Sequence, residues 1–282
     1  MNNWENILRQ AQIFEENGKF LHAIQLYSVL KDKKECSRIA NVKLANAYEK
    51  LKKPHLAKKI LDSYLEQNPD DEEIKKIYSH FLIRNAFYDL AIDKLSEISR
   101  EEHPEVYFLM GVANYNLKEY EIAELNFKEF IAKSKDADLV PEAYLFLAKT
   151  QLHRKKYDEA LESGNKSSEL FYQNHELHKT LATIYFHKKM FYHAYEAIRT
   201  AIKINAKEIS THYCAGKILF ELGEYGKAEK HLRKYLEEFK NDRKALELLG
   251  TCLRKQGKNE LFVKPLGKNI PEFGEIERNQ NN

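Results

Sequence analysis

Apolar residues along this chain recur at intervals of three and four positions, the spacing of an amphipathic helix. The segments THYCAGKILFEL from Thr211 and KAEKHLRKYLEEF from Lys227 both show it, with polar residues on the opposite face. Pro69, Pro104 and Pro141 fall between pairs of such segments, where a helix can begin but cannot continue. The pattern predicts an all-α chain built from antiparallel helix pairs.

The predicted helix pairs repeat with a period close to 34 residues. Each second helix carries an anchor alanine, and successive anchors are 34, 34, 32, 37, 34 and 34 residues apart: Ala23, Ala57, Ala91, Ala123, Ala160, Ala194 and Ala228. Three residues before the anchor stands an aromatic residue, except for Pro54. Twelve residues before it stands Ala, Gly or Ser in every copy. Small side chains at both positions let two helices approach closely, so we expect a bulky residue at Ala194 or Ala228 to overpack the seam.

This register predicts the boundaries of the repeats. We expect a solenoid over residues 1–264 and a flexible polar tail over residues 265–282. The repeats span about residues 4–37, 38–71, 72–103, 104–140, 141–174, 175–208 and 209–242, and a capping helix follows over residues 243–264. The unequal spacings on either side of Ala123 are expected to lie in joints between repeats, chiefly in KSKDADLVP.

The pattern resembles the tetratricopeptide repeat (TPR), which has this period. The resemblance covers about residues 4 to 262 and rests on the anchors, the small and aromatic positions, and the joint sequence NPDD at Asn68 to Asp71. It implies a right-handed superhelical solenoid of antiparallel helix pairs, with about seven repeats and a C-terminal capping helix. It implies an interaction scaffold as the broad function, with the first helices along a concave surface.

The predicted concave surface changes character along the chain. Residues fifteen, eleven and eight before each anchor share one helix face, which becomes apolar and lysine-edged from the fourth copy onward. We predict a partner-binding groove formed by Phe108, Val112, Tyr115, Leu145, Lys149, Leu152, Lys179, Phe186, Tyr213, Lys217 and Phe220. Such a surface favours a partner segment with apolar anchors and acidic groups. The alternative, that some of these rings turn inward and complete the core, stays open.

Composition and charge agree with a helical protein and restrict the classes of partner that it is expected to bind. The chain has ten glycines, six prolines and 32% charged residues, which is typical of solvated helices. Its net charge of +3 is interspersed, which does not indicate a nucleic-acid or anionic-membrane surface. Residues 240–268 hold eight basic and three acidic residues but no aromatic platform for bases, so a solvated cap is favoured over a nucleic-acid site.

Motifs of catalysis are missing from the sequence. It contains no glycine-rich phosphate loop, nucleophile elbow or metalloprotease helix. His175 and His178 share the sequence HELH, which we interpret as solvated surface at a joint. Three widely spaced cysteines show no disulfide or zinc pattern and favour a reducing, cytoplasmic location. We expect no enzyme activity, no cofactor, no metal and no membrane insertion.

Two functions remain open at this point. The first is a scaffold whose concave groove binds a segment of a partner protein. The alternative is a structural subunit of a larger assembly, such as secretion, motility or division machinery, or a self-associating adaptor. Capture of a chaperone carboxyl terminus is not predicted, because Ile77 stands where that clamp needs a polar residue, although Asn46 is present.

Overall fold

The computed structural model describes residues 3–134 and 137–258. Within these ranges the chain forms fifteen α-helices and no strand, so the all-α prediction is confirmed. The chain divides into two compact units between Ala137 and Asp138. No helix of the described ranges combines the length and apolar character needed to cross a membrane. The end of the predicted cap and the predicted tail, residues 259–282, lie outside the described residues.

The helices alternate as first and second members of antiparallel pairs. The first unit contains α1 (Asn3–Glu16), α2 (Phe20–Leu30), α3 (Ser37–Lys50), α4 (Pro54–Gln67), α5 (Glu72–Arg84), α6 (Tyr88–Ser96), α7 (Glu105–Asn116) and α8 (Tyr120–Lys133). The second unit contains α9 (Val140–His153), α10 (Tyr157–Leu170), α11 (His175–His187), α12 (Phe191–Ile204), α13 (Ser210–Glu221), α14 (Tyr225–Glu238) and α15 (Arg243–Lys255). Every second helix from α2 to α14 begins three residues before its anchor alanine, so its first residue is the aromatic residue of the register, or Pro54 in α4.

Small residues form the seam of every helix pair. All seven anchor alanines are fully buried, and so are the seven Ala, Gly or Ser residues twelve positions earlier. In the seventh pair a Cβ atom on Gly216 would lie only 2.7 Å from Cγ of Leu232, four residues after the anchor. The small residue of the first helix therefore makes room for the large side chain that stands four residues after the anchor in the second helix.

Gly164 is the one non-apolar residue in the position four after the anchor, and the fold explains it. A Cβ atom on Gly164 would lie 2.6 Å from Cδ2 of Leu181. Leu181 comes from α11 of the next pair and is buried. The core position that other repeats fill with their own second helix is thus filled here from the neighbouring first helix.

The turn inside each pair adopts a left-handed backbone at one fixed register. The residue five before each anchor has a positive φ, and only Gly18 and Gly223 in these seven turns are glycines. The other five are Lys52, Ala86, Lys118, Lys155 and Lys189, with φ between 57° and 66°. A non-glycine residue pays a steric cost in this conformation. The tight turn is thus imposed by the packing of the two helices and not by local preference.

The short spacing between Ala91 and Ala123 arises inside a helix, because the joint after α6, residues 97–104, is longer than the joint after α4, residues 68–71. Helix α6 has 9 residues, whereas α4 and α8 each have 14. The prediction that this variation lies in the joints is therefore wrong for α6. Ile98, just beyond the end of α6, is buried and keeps the following segment against the core.

Candidate functional site

The first helices of neighbouring pairs contact each other within each unit, which brings their predicted groove residues together. In the second unit α9 contacts α11, α11 contacts α13, and α13 contacts α15. Among the described residues, successive second helices have few or no comparable contacts. The side that carries the first helices is therefore the tighter side of each stack. We call it the first-helix face.

Two of the predicted groove residues do not lie on an accessible surface. Phe108 is 7% exposed, and its ring packs 5.4 Å from that of Phe130 and 6.0 Å from that of Phe127. Leu145 is 4% exposed and belongs to a core cluster with Leu177 and Leu181. A partner cannot use side chains that the fold has already buried, so both residues are corrected from groove to core. In these two copies the position fifteen before the anchor turns inward.

Half-buried rings eight residues before the anchor share one packing geometry. Tyr115, Phe186 and Phe220 each make an edge-to-face contact with the aromatic residue that starts the second helix of the same pair. The ring centroids are 5.8, 5.6 and 5.5 Å apart. One side of each ring is thus held by the protein, which fixes its orientation. Val112 and Leu152 are also half-buried.

A lysine covers two of the aromatic rings on the first-helix face of the second unit. Lys217 of α13 is exposed, and its Nζ lies 5.0 Å from the centroid of the Phe186 ring and 5.8 Å from that of Tyr213. Among the described residues, no carboxylate forms an ion pair with Lys217. The contact with Phe186 ties α13 to α11, and both contacts leave the ammonium charge available to an outside acid.

Glu176 stands between two further lysines of this face. Its carboxylate lies 3.2 Å from Lys149 Nζ and 3.0 Å from Lys179 Nζ. Burial alone would raise the pKa of Glu176, but the two ammonium groups outweigh it and hold that pKa below its usual value. Counting Lys217, three ammonium groups and one carboxylate lie on this part of the face, and only Lys149 and Lys179 pair with that carboxylate. The face between Leu152 and Phe220 is therefore basic as well as apolar.

His178 is buried, so the interpretation of HELH as a solvated histidine pair is wrong for this residue. It is 4% exposed, and its Nε2–H donates a 2.8 Å hydrogen bond to the carbonyl of Tyr172. Burial lowers the pKa of His178, although the hydrogen bond to the carbonyl opposes this effect. The neutral imidazole fastens the connection before α11. His175 remains half-exposed, near Glu176.

A pair of histidines, His212 buried and His231 half-buried, lies between α13 and α14. Nδ1 of His212 and Nδ1 of His231 are 2.8 Å apart, so one ring donates and the other accepts. Burial, with smaller contributions from Lys234 and His231, lowers the pKa of His212 to about 4. Nε2 of His212 is buried and has no hydrogen-bond partner among the described residues. Both rings are therefore neutral near pH 7.

The strongest grouping of metal-ligand side chains among the described residues lies in the first unit. Ligand atoms of Glu72, Glu102 and His103 come within 4.8 Å of one another. Nζ of Lys76 lies 3.2 Å from Nδ1 of His103 and 3.1 Å from Glu105. Burial would lower the pKa of Lys76, but hydrogen bonds to Glu105 and Glu73 raise it. The Lys76 ammonium thus contacts His103 of this cluster and pairs with Glu73 and Glu105 beside it.

Sequence reasoning missed a second aromatic surface, formed by Tyr172, Tyr185 and Tyr192 around a cleft beside α11. Tyr192 is 78% exposed, more than any other large hydrophobic residue in the described ranges. The sequence signal for this surface was a second aromatic residue, Tyr192, directly after Phe191. The repeat pattern includes Phe191 but not Tyr192, so the pattern did not identify it.

Comparison with family models finds the repeat over much of the chain. Models described as tetratricopeptide repeat match residues 40–71, 108–169 and 213–268. The model described as anaphase-promoting complex, cyclosome, subunit 3 matches residues 168–235. A comparison with curated protein sequences finds no match.

Solved structures share the fold at low sequence identity. A tetratricopeptide repeat protein from Parabacteroides merdae is 17% identical, with a TM-score of 0.65 over 89% of this chain and 98% of its own. The APC/C hetero-tetramer Cut9-Hcn1 is 15% identical, with a TM-score of 0.68 over 86% of this chain and 48% of that chain. This chain thus spans about half the length of that relative. MamA from Desulfovibrio magneticus RS-1 is 22% identical, with a TM-score of 0.54 over 61% of this chain and 98% of its own.

With its register of buried small residues and its matching family models, the chain belongs to the tetratricopeptide repeat family.

Proposed function

We propose that this protein is a non-enzymatic scaffold that binds a segment of a partner protein on the first-helix face of its second unit. The segment carries apolar side chains and at least one carboxylate. The observation that carries the proposal is Lys217, which stands over Phe186 and Tyr213 without an ion-pair partner among the described residues. An apolar anchor next to an acid would fit this arrangement.

The remaining predicted groove residues of the second unit divide into two roles. Leu152, Phe186 and Phe220 offer half-buried apolar surface, and fixed rings lose little side-chain entropy on binding. Lys149, Lys179 and Lys217 supply positive charge for steering and for register. Tyr213 has less ring surface free for a partner, because its ring centroid already lies 5.2 Å from that of Tyr235. In the first unit, Val112 and Tyr115 stay candidate contacts.

The test compares groove variants with matched variants elsewhere on the same unit. The tagged chain is used to recover partners from its native cell, and each recovered protein is then titrated in purified form. Phe220→Ala should weaken binding more than tenfold, since a true apolar anchor is worth about 2 kcal/mol or more. Lys217→Glu should weaken it through the association rate, in a manner that depends on salt.

The controls are Phe239→Ala and Lys230→Glu, which remove an exposed ring and reverse an exposed charge on or after α14. Binding that falls equally in the controls, or persists at full strength in Phe220→Ala and Phe186→Ala, contradicts the assignment to this face. Circular dichroism of each variant shows whether the helices are intact.

A second candidate function, a subunit of a larger assembly, is supported by the first unit. Leu56, Leu90 and Ile122 occupy the position just before the anchor on consecutive second helices and are 40% to 50% exposed. The equivalent residues of the second unit are Glu159, His193 and Lys227. Self-association of the chain should appear in sedimentation velocity as a concentration-dependent species that Leu90→Glu removes. A monomer at all concentrations contradicts self-association.

A further inference from the structure

A cleft with a volume of about 460 Å³ opens between the second helices α10 and α12, above α11. The cleft is lined by His178 and Tyr185 of α11, whereas Lys179 and Phe186 of the same helix belong to the first-helix face. Because these residues differ by about 100° around the helix, the cleft is a separate surface from the proposed groove. It lies entirely within the second unit.

Three tyrosines and two histidines dominate the walls of this cleft. Tyr172 and Tyr192 are 53% and 78% exposed, which is unusual for rings of this size. Two of the three tyrosine rings are braced by a histidine. His178 lies 4.5 Å from the Tyr172 ring, and His193 lies 5.4 Å from the Tyr185 ring. The His178 hydrogen bond to the Tyr172 carbonyl fixes the segment that carries this wall, so the cleft exists before any ligand arrives.

The charge of the cleft differs from that of the chain as a whole. The chain contains 46 lysines and arginines, yet none of those in the described ranges lines this cleft, where Glu196 is the one fully charged residue of that part of the chain. Glu196 pairs with Arg199, but their side chains are 59% and 66% exposed. Exposed ion pairs are weak, so this carboxylate can exchange its partner. Unlike Phe186, the cleft tyrosines have no lysine of the chain over their rings among the cation–π contacts of the described residues.

We propose that the cleft binds an arginine side chain presented by a partner protein. The guanidinium plane would stack on the rings of Tyr192 and Tyr172, and Glu196 would accept its N–H groups. Tyrosine faces attract cations, and a planar guanidinium adds stacking that an ammonium lacks. The neighbouring hollow behind Tyr172 is lined by Arg199 and Lys203, so it repels the same group and sets the edge of the site.

The experiment uses the full chain with isotope-labelled tyrosine rings and methylguanidinium chloride as the probe. Ring resonances of Tyr172, Tyr185 and Tyr192 should shift saturably in NMR spectra, and equal concentrations of sodium chloride should not reproduce the shifts. Tyr213 is an internal control, because the Lys217 ammonium already stands near its ring. Its resonance should stay in place.

Variants separate a cation site from a merely apolar one. Tyr192→Phe keeps the aromatic face and should bind methylguanidinium as the wild type does. Tyr192→Leu keeps apolar bulk without the face, and Glu196→Gln removes the charge. Each should raise the dissociation constant about two- to fivefold. Tyr192 is exposed, so these variants should keep the circular dichroism of the wild type.

Three results overturn the proposal: equal shifts at Tyr213, unchanged affinity in both Tyr192→Leu and Glu196→Gln, or shifts of the cleft tyrosines caused by sodium acetate instead of methylguanidinium. The last result would assign an acidic ligand to the neighbouring hollow. None of these outcomes bears on the first-helix face, whose test uses Phe220 and Lys217.

Discussion

Gly111 of α7 lies directly against the ring of Phe127 in α8. A Cβ atom on Gly111 would be 2.6 Å from Phe127 Cε1, closer than real Cβ contacts come. Both residues are buried, and they belong to the same helix pair. The contact shows why the small residue recurs at this register: it is the socket for a large side chain from the second helix.

We expect Gly111→Ala to destabilise the protein, because the added methyl group must displace a ring in a packed core. Overpacking costs about 1–3 kcal/mol, and the better helix propensity of alanine returns about 1 kcal/mol. Urea unfolding of Gly111→Ala, Phe127→Leu and the double variant measures the coupling. The double variant should recover part of the loss, whereas simple additivity of the two changes would contradict the socket. Gly226→Ala is the control, since its nearest neighbour would be Gln256 Oε1 at 3.5 Å.

Replacing Ala86 by glycine should stabilise the third helix pair. Ala86 has a φ of 62° in the turn between α5 and α6, a conformation that costs an L-residue about 1–2 kcal/mol. Glycine removes that cost but adds entropy to the unfolded chain, so we expect a net gain of up to about 1 kcal/mol. Thermal unfolding checks the change. The reverse substitution, Gly223→Ala, should lower stability, and a gain there would contradict the argument.

Asp242 should contribute about 1–2 kcal/mol as the cap of α15. One of its carboxylate oxygens accepts the Ala245 N–H at 3.1 Å, and the other accepts the Tyr235 hydroxyl at 2.8 Å. Asp242→Ala loses both contacts, whereas Asp242→Asn keeps the acceptor for the cap and should be nearly neutral. Far-UV circular dichroism in urea distinguishes them. Equal losses in both variants would mean that charge, and not capping, stabilises this helix end.

The His212–His231 pair should make the second unit sensitive to acid. Burial, followed by Lys234, lowers the folded-state pKa of His212 to about 4, whereas an unfolded histidine titrates near 6.5. The unfolded chain therefore binds more protons in this interval, and the free energy of unfolding falls as the pH drops from about 6.5 to 4. At about 1.4 kcal/mol per pKa unit, the loss is on the order of 2–3 kcal/mol.

Stability measured by urea titration between pH 4 and pH 7.5 tests this slope. Other buried histidines contribute to it, so the informative quantity is the difference between the wild type and His212→Phe. That difference should shrink as the pH falls. His193→Gln, which removes an exposed imidazole of the same unit, serves as the control. Parallel curves for the wild type and His212→Phe would exclude His212 as the source.

The joints between repeats show how much of the fold could be predicted from the sequence. The joint sequence ending at Asp71 was recognised, but the contacts that stabilise it were not predicted. Asp71 caps α5 and accepts a hydrogen bond from the Tyr64 hydroxyl at 3.0 Å. Tyr235 and Asp242 repeat this arrangement at the same register, seven and fourteen residues after the anchor. A pattern search finds the positions, but only coordinates show that the two side chains meet.

The candidate site was predicted less well than the fold. The register put Phe108 and Phe186 on one helix face, yet the first is buried against Phe130 and the second is half-exposed beneath Lys217. Helical periodicity gives the direction of a side chain relative to its own axis. It does not tell how far the neighbouring helix extends over that side chain, because this depends on residues 20 to 30 positions away.

The period of small and aromatic residues, by itself, determined the helix pairs, their order and their seams, since close packing of two helices requires a small residue wherever the backbones approach. Tertiary structure alone decided which rings face a neighbour and which face solvent. It also placed Lys217 over Phe186 and brought together around one cleft Tyr172 from the connection before α11, Tyr185 from α11 and Tyr192 from α12. Those outcomes depend on contacts between repeats, which differ from copy to copy and leave no periodic trace in the chain.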